Sequence, residues 1–307
     1  MSLVPTVFSS TDPGAPQLTG QPGSLAAILD AVLGAGYGTK AGLGWTLAFS
    51  SGYKRAYRNV IAEGGTGLYF RLDDSNAQYA LASGYHSMTD VDTGADGFSL
   101  TANAWGKSIT ANTTVRSWFI VGNSRSAYIF IQNGYSSGGI PFVGYLVGDY
   151  ECLNKDYAFN FCIGSSGNAT VTGATRSNLL STGATPATYG QHVAARSYDG
   201  GTLGTALNPR SVFSSQAYLG GPGGAAFAYP YPPTGGMMVS RPVLNNGGSL
   251  FGLLPGMWIP EHAQILTRFT EYAGLKGLPS DRLLAIESFA NNSYSQGLLQ
   301  LDQAWSY

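Results

Sequence analysis

The hydrophobic positions of this 307-residue chain fall into two periods. Near the start, Leu25, Ile28, Leu29, Val32 and Leu33 recur at i, i+3, i+4, i+7 and i+8, which places apolar side chains on one face of a helix. With Ser24 as N-cap and Gly34 as stop, the spacing predicts one short amphipathic helix over 24–33. From Trp45 onward the period falls to two. Leu68, Phe70 and Leu72 alternate with Tyr69, Arg71 and Asp73, as a strand with one buried face requires. Val115 to Val121 and Ala127 to Gln132, separated by the turn residues 122–126, predict a hairpin. Phe142 to Leu146, Tyr157 to Ile163, Met237 to Val239, Arg282 to Glu287 and Leu298 to Asp302 continue the series. The expected fold class is mainly β: a β-sandwich-like or compact multi-sheet architecture with one short N-terminal helix and long glycine-rich loops.

Three regions follow from the same pattern. Residues 1–23, with Pro5, Pro13, Pro16 and Pro22, read as an extended N-terminal arm, because proline removes backbone donors and biases its predecessor away from helix. Residues 24–163 form a β-rich domain that includes the amphipathic helix. Residues 164–307 form a loop-rich β region packed on the first, weak in periodicity and rich in Gly, Ser, Thr, Ala and Asn. No internal repeat of fixed period is present.

Charge changes the picture more than any motif. Asp, Glu, Lys and Arg make up 11% of the chain, against about a quarter in an ordinary soluble domain. Charged residues are depleted, and aromatics enriched, at the cores of protein–protein contacts. The alternative is an uncharged all-β domain with a surface of Ser, Thr, Asn and Tyr. A subunit of an obligate assembly accounts better for the deficit, with the arm prolines Pro5, Pro13, Pro16 and Pro22 and the loop aromatics Phe227, Tyr229 and Tyr231 as the expected interface. A net charge of −1 argues against nucleic acid, whose capture needs clustered Lys and Arg. The first residues have neither a basic segment nor a long apolar run, so no secretory signal or membrane insertion is expected. Cys152 and Cys162 are read as free thiols of a chain made in a reducing cytosol, with pairing across a hairpin as the alternative.

Candidate chemistry is sparse. Gly134-Tyr135-Ser136-Ser137-Gly138 has the letters of a nucleophile elbow, but a strand is expected after it where the motif needs a helix. Gly36-Tyr37-Gly38 imitates a dinucleotide fingerprint, yet it follows a helix rather than a strand. Asp90, Asp92 and Asp96 could face a Ca²⁺ ion. The EF-hand pattern fails at Gly94, Ala95 and Thr101, and Asx-type turns explain the same acids. His86, His192 and His262 lack metal-ligand spacing. Asp73, Asp74, Asp149, Glu151 and Asp156 could supply a glycosidase pair only through the fold. No catalytic residue, cofactor or metal is expected.

Several landmarks together resemble a family encoded among the structural genes of tailed bacteriophages. They are Thr11-Asp12-Pro13-Gly14-Ala15-Pro16, Gly23-Ser24-Leu25, Gly44-Trp45-Thr46, Met88-Thr89-Asp90-Val91-Asp92-Thr93-Gly94, and Leu254-Pro255-Gly256-Met257-Trp258 with Pro260 and His262. The ending Leu301-Asp302-Gln303-Ala304-Trp305 departs from the family in lacking Gly-Pro before the last Trp. The resemblance implies a virion component of the tail, baseplate or adsorption apparatus, with copies of itself and other virion proteins as partners, and it carries no activity. Capsid decoration, a receptor-glycan-binding module that contacts a host surface glycan, and a polysaccharide depolymerase are the alternatives.

Overall fold

The computed structural model describes residues 3–99, 104–134, 143–153, 159–164, 193–195, 205–210, 233, 235–246, 249–262, 266–267, 269–278, 280–287 and 296–307. Strand accounts for 47% of the described residues and helix for 7%, so the protein is mainly β, in a sandwich-like arrangement of antiparallel sheets.

A five-stranded sheet comes first, in spatial order Thr46–Ser51, Lys54–Arg58, Tyr69–Asp73, Tyr79–Tyr85 and Ala104–Gly106. Its strands alternate as the sequence period requires: Phe70 and Leu72 are buried, while Tyr69, Arg71 and Asp73 lie toward the outside. A ten-stranded sheet follows. It begins at one edge with Thr6–Ser9, continues through the hairpin Trp118–Gly122 and Ser126–Ile131, then Val143–Asp149, Phe161–Gly164 and Val193–Ala195, and ends at Glu151–Cys152. A second five-stranded sheet holds Val239–Ser240, Met257–Pro260, Gln296–Gln300, Arg282–Glu287 and Glu271–Ala273.

The large sheet is the middle layer. Ile120, Ile129, Tyr145, Val147, Phe161 and Ile163 share one core with the first sheet and the helix. Val121, Tyr128, Leu146 and Cys162, which point the other way, share a second core with Met257, Ile259, Ile286 and Leu299. Every residue of Ser126–Ile131 and Val143–Asp149 is therefore buried, and both strands read as apolar runs instead of alternating ones. Between the first and middle layers, Phe70 packs on Trp105 at 5.2 Å and Trp105 stacks on Tyr145 at 4.9 Å. The Tyr145 hydroxyl donates to the Gly106 carbonyl at 3.0 Å.

The helix is built differently at both ends from what its sequence suggests. It is α-helical over Ser24–Leu29 and continues as a π-helix over Asp30–Ala35, closing at Gly36 instead of Gly34. Its five apolar residues are all buried in the first core. Ser24 is not the N-cap: that position is Gly23, at φ 80°, and no side-chain cap comes from the helix itself. Gly23 is required there, because a Cβ would lie 2.5 Å from the Tyr53 ring. The Ser24 hydroxyl instead donates back to the Thr19 and Gln21 carbonyls.

The arm docks on its own chain. Thr6–Ser9 pairs with Trp118–Gly122, Phe8 and Leu18 are fully buried, and the Trp118 indole donates to the Pro16 carbonyl at 3.0 Å. The 163/164 boundary falls inside the Phe161–Gly164 strand, and the large sheet continues through it to Val193–Ala195.

Candidate functional site

Two buried carboxylates organise the polar interior. Asp74 lies just after the Tyr69–Asp73 strand, and its carboxylate replaces the missing helix cap: one oxygen accepts from the amides of Leu25 and Ala26 at 2.9 and 3.0 Å. The other oxygen pairs with the Lys107 ammonium, both side chains having no exposure. The ammonium also donates to the Gln21 carbonyl at 2.7 Å. Burial raises the pKa of Asp74 against the pull of Lys107 and the two amides, and burial lowers that of Lys107 against the pull of Asp74. The arm, the helix start, the first sheet and the Lys107 segment thus meet at one ion pair.

Asp149 ends the Val143–Asp149 strand and is equally buried, but its partners differ. One carboxylate oxygen accepts from Asn59 and the Thr66 hydroxyl, both at 2.7 Å; the other accepts from the Thr66 amide at 3.1 Å and Arg125 Nε at 2.9 Å. Burial raises its pKa, with Arg125, Thr66 and Asn59 opposing that rise. The Arg125 guanidinium lies 4.0 Å from the centre of the Tyr307 ring, a cation–π contact. The Tyr307 hydroxyl donates to Asn123 Oδ1 at 2.8 Å, and Asn123 Nδ2 donates to the Leu3 carbonyl at 2.8 Å. The Trp305 amide donates to the same carbonyl at 3.2 Å. Both ends of the described chain are therefore fastened to the hairpin loop 122–126. Trp305 fills a slot over Gly256, at φ 62°, where a Cβ would lie 2.0 Å from the indole nitrogen.

The Asp90 to Asp96 run is a hairpin, Ser87–Asp90 with Thr93–Ala95, instead of an open loop. It lies across the outer face of the first sheet, where Met88 and Val91 pack on Ala56 beside Phe49, Tyr69 and Tyr85. Asp92 accepts from Lys54 at 2.7 Å and from Arg71 at 2.5 Å, and these two hydrogen bonds hold its pKa below the ordinary value. Asp90 accepts from the Asp92 amide at 2.6 Å, an Asx-type turn. Asp96 adopts a positive φ of 52°. The geometry makes Asp92 an anchor for the hairpin, already neutralised by two cations.

The remaining expectations scatter. Pro5 is buried, Pro16 and Pro22 are half-buried and Pro13 is exposed. Phe227, Tyr229, Tyr231, Ser136, Asp156 and His192 lie outside the described residues. Asp73 lies 3.6 Å from Arg71, and Glu151 pairs with Arg241 at 2.6 Å. His86 is exposed against the Phe159 ring, whereas His262 is buried and accepts from the Met238 amide at 2.7 Å. Cys152 and Cys162 are free thiols, and burial pushes the Cys162 thiol far up. Among the described residues, no three His, Cys, Asp or Glu side chains are grouped to hold a metal, and no helix is long and apolar enough to cross a membrane.

No protein-family description matches the chain, and no curated protein matches it. At both centres the buried acid is saturated by donors from elements far apart in sequence. Lys107, Asn123 and Tyr307 escaped the sequence reading. Nothing local to any of them announces the partners that the fold brings from tens of residues away.

Proposed function

We propose that the protein is a non-enzymatic structural subunit of a tailed-bacteriophage virion, in the tail, baseplate or adsorption apparatus, acting through assembly with copies of itself and other virion proteins. One observation carries the proposal: among the described residues, the scarce charges are largely spent on each other. Asp12 pairs with Lys40, Asp30 with Arg55, Asp74 with Lys107, Asp92 with Lys54 and Asp149 with Arg125. Large apolar or aromatic side chains meanwhile stand exposed at Leu47, Tyr53, Ile61, Val115, Leu153 and Leu250. A surface with few uncommitted charges and protruding apolar groups suits permanent contact with protein more than free solution. The resemblance to phage structural proteins supports the particle as the setting.

The test is to purify the particles and locate the chain in them. We expect many symmetry-related copies, each with more than about 2,000 Å² of total interface, the size of obligate contacts. Absence of the chain from purified particles would overturn the proposal, as would a small interface beside a carboxylate pair spanning a sugar-sized cleft.

A further inference from the structure

Every open sheet ends in edge strands, whose outward amides and carbonyls form a template for another strand unless they are blunted. Most of the described edges are blunted. Over Thr6–Ser9, the Lys40 ammonium donates to the Val7 carbonyl at 2.9 Å. The Ser9 amide donates to the Asp12 carboxylate at 2.8 Å and to the Tyr37 hydroxyl at 3.2 Å. Glu151–Cys152 and Val239–Ser240 are two residues long, and the latter runs into Arg241 and Pro242. Glu271–Ala273 carries the Glu271–Arg282 ion pair at 2.7 Å. Ala104–Gly106 is largely buried.

Thr46–Ser51 has none of these protections. It is the edge of the first sheet, six residues long, without charge or proline, and Thr46, Leu47, Ser50 and Ser51 are exposed. Leu47 keeps 43% of its surface in solvent. Among the described residues, its only hydrogen-bonding partner is the Lys54–Arg58 strand on its inner side. A bulge between Leu47 and Phe49 bends the strand but brings no charge or cover to it.

We propose that Thr46–Ser51 pairs with the same strand of a second copy, antiparallel about a two-fold axis, joining two five-stranded sheets into one. The partner follows from elimination and from charge. A strand edge is complemented by another open strand edge. Ser87–Asp90 ends on Asp90, and Thr93–Ala95 is three residues long between Asp92 and Asp96. With the other described edges blunted, the described part of a second copy offers this one in return. The contact is therefore isologous. Self-pairing of an uncharged strand sets no like charges opposite one another. With the strand ends level, the nearest cations, Lys54 of one copy and Arg58 of the other, stand three strand spacings apart, about 14 Å. That exceeds the Debye length of about 10 Å at 0.1 M salt. The pairing rests on the assembly role proposed above and names one of its contacts.

The test uses the whole chain in two charge variants at exposed positions, L47K/S50K and L47E/S50E, with far-UV circular dichroism to check the fold and sedimentation equilibrium to read association. The parent is expected to pass from monomer to dimer with rising concentration. Each variant alone should associate at least tenfold more weakly, because like charges now face each other, and the equimolar mixture should recover dimers. Recovery in the mixture also shows that both variants are folded. A parent that stays monomeric would overturn the proposal, as would variants that associate like the parent, or a mixture no tighter than its components. A monomeric parent found in purified particles would sink the edge pairing and leave the virion role standing. A dimer that obeys the charge rule while the chain is missing from particles would do the reverse.

Discussion

The surroundings of Asp74 and Asp149 solve one problem in two ways. Both carboxylates are fully buried. Asp74 is balanced by a whole buried charge, Lys107, in addition to two helix amides. Asp149 is balanced by Arg125, which is still partly exposed, and by three neutral donors from Asn59 and Thr66. A lysine sealed from water has no other charge to turn to, only the Gln21 carbonyl, so the first pair is brittle. A carboxylate ringed by neutral donors keeps most of its partners when one is lost, so the second centre is tolerant.

The largest expected effect tests the brittle side. Lys107→Met should destabilise the fold by about 3–5 kcal/mol, the cost of leaving a buried charge unpaired, read from urea unfolding. Adding Asp74→Asn, which removes the charge and keeps an acceptor for the Leu25 and Ala26 amides, should recover most of the loss. A double variant as unstable as Lys107→Met would break the account. The pH dependence has a definite sign. The folded-state pKa of Asp74 is raised, so the folded chain of Lys107→Met holds a proton that the unfolded chain releases. Its stability falls as pH rises from about 4, the unfolded value. The gap from the parent should therefore be wider at pH 7 than at pH 4.

On the tolerant side, Arg125→Met should cost about 1–3 kcal/mol, because Asn59 and Thr66 still satisfy the carboxylate. If the same measurement gives a loss equal to that of Lys107→Met, the contrast between the two centres is void. Tyr307→Leu removes the ring from Arg125 and a hydrogen bond to Asn123, and a loss of about 1–2 kcal/mol is expected in thermal or urea unfolding. No loss would mean that the guanidinium needs no cover.

The smallest effect lies at the surface. Asp92→Asn should change stability by less than about 1 kcal/mol, since exposed ion pairs contribute little. The pKa of Asp92 is lowered by Lys54 and Arg71, so its contribution is present above about pH 4 and lost as pH falls through the lowered value. Salt should weaken it further. An Asp92 effect that persists in 1 M salt would place the ion pair in a drier setting than its exposure indicates.

The sequence disclosed structure wherever one face is wet. The helix stripe and the Tyr69–Asp73 alternation follow directly from burial on one side. Ser126–Ile131 and Val143–Asp149 carry no such alternation, being covered on both faces; the first is marked by the turn residues 122–126, and the second reads in the sequence as Phe142 to Leu146, three residues short of its end. The N-cap was misread because the capping carboxylate belongs to Asp74, 49 residues beyond Leu25. The Asp90 to Asp96 run reads in the sequence as Asx-type turns with a cation loop as the alternative, and neither reading could include the charges that neutralise Asp92, which come from Lys54, 38 residues away, and Arg71, 21 residues away. Helix faces and turns are local properties; charge balance is decided by the fold.

The docking of Thr6–Ser9 on Trp118–Gly122 sets an order of events during folding. The pair Phe8 and Ile120 joins segments more than a hundred residues apart, and Trp305 meets Leu3 across nearly the whole chain. Closing such spans costs entropy before any contact repays it, and chains dominated by distant pairings fold slowly. The hairpin Trp118–Gly122 with Ser126–Ile131 closes over a few residues and can form early. The arm can be added only once that hairpin presents its edge. It leaves the ribosome long before its partner strand and settles after it, so Phe8 substitutions are expected to speed unfolding and leave the folding rate nearly unchanged.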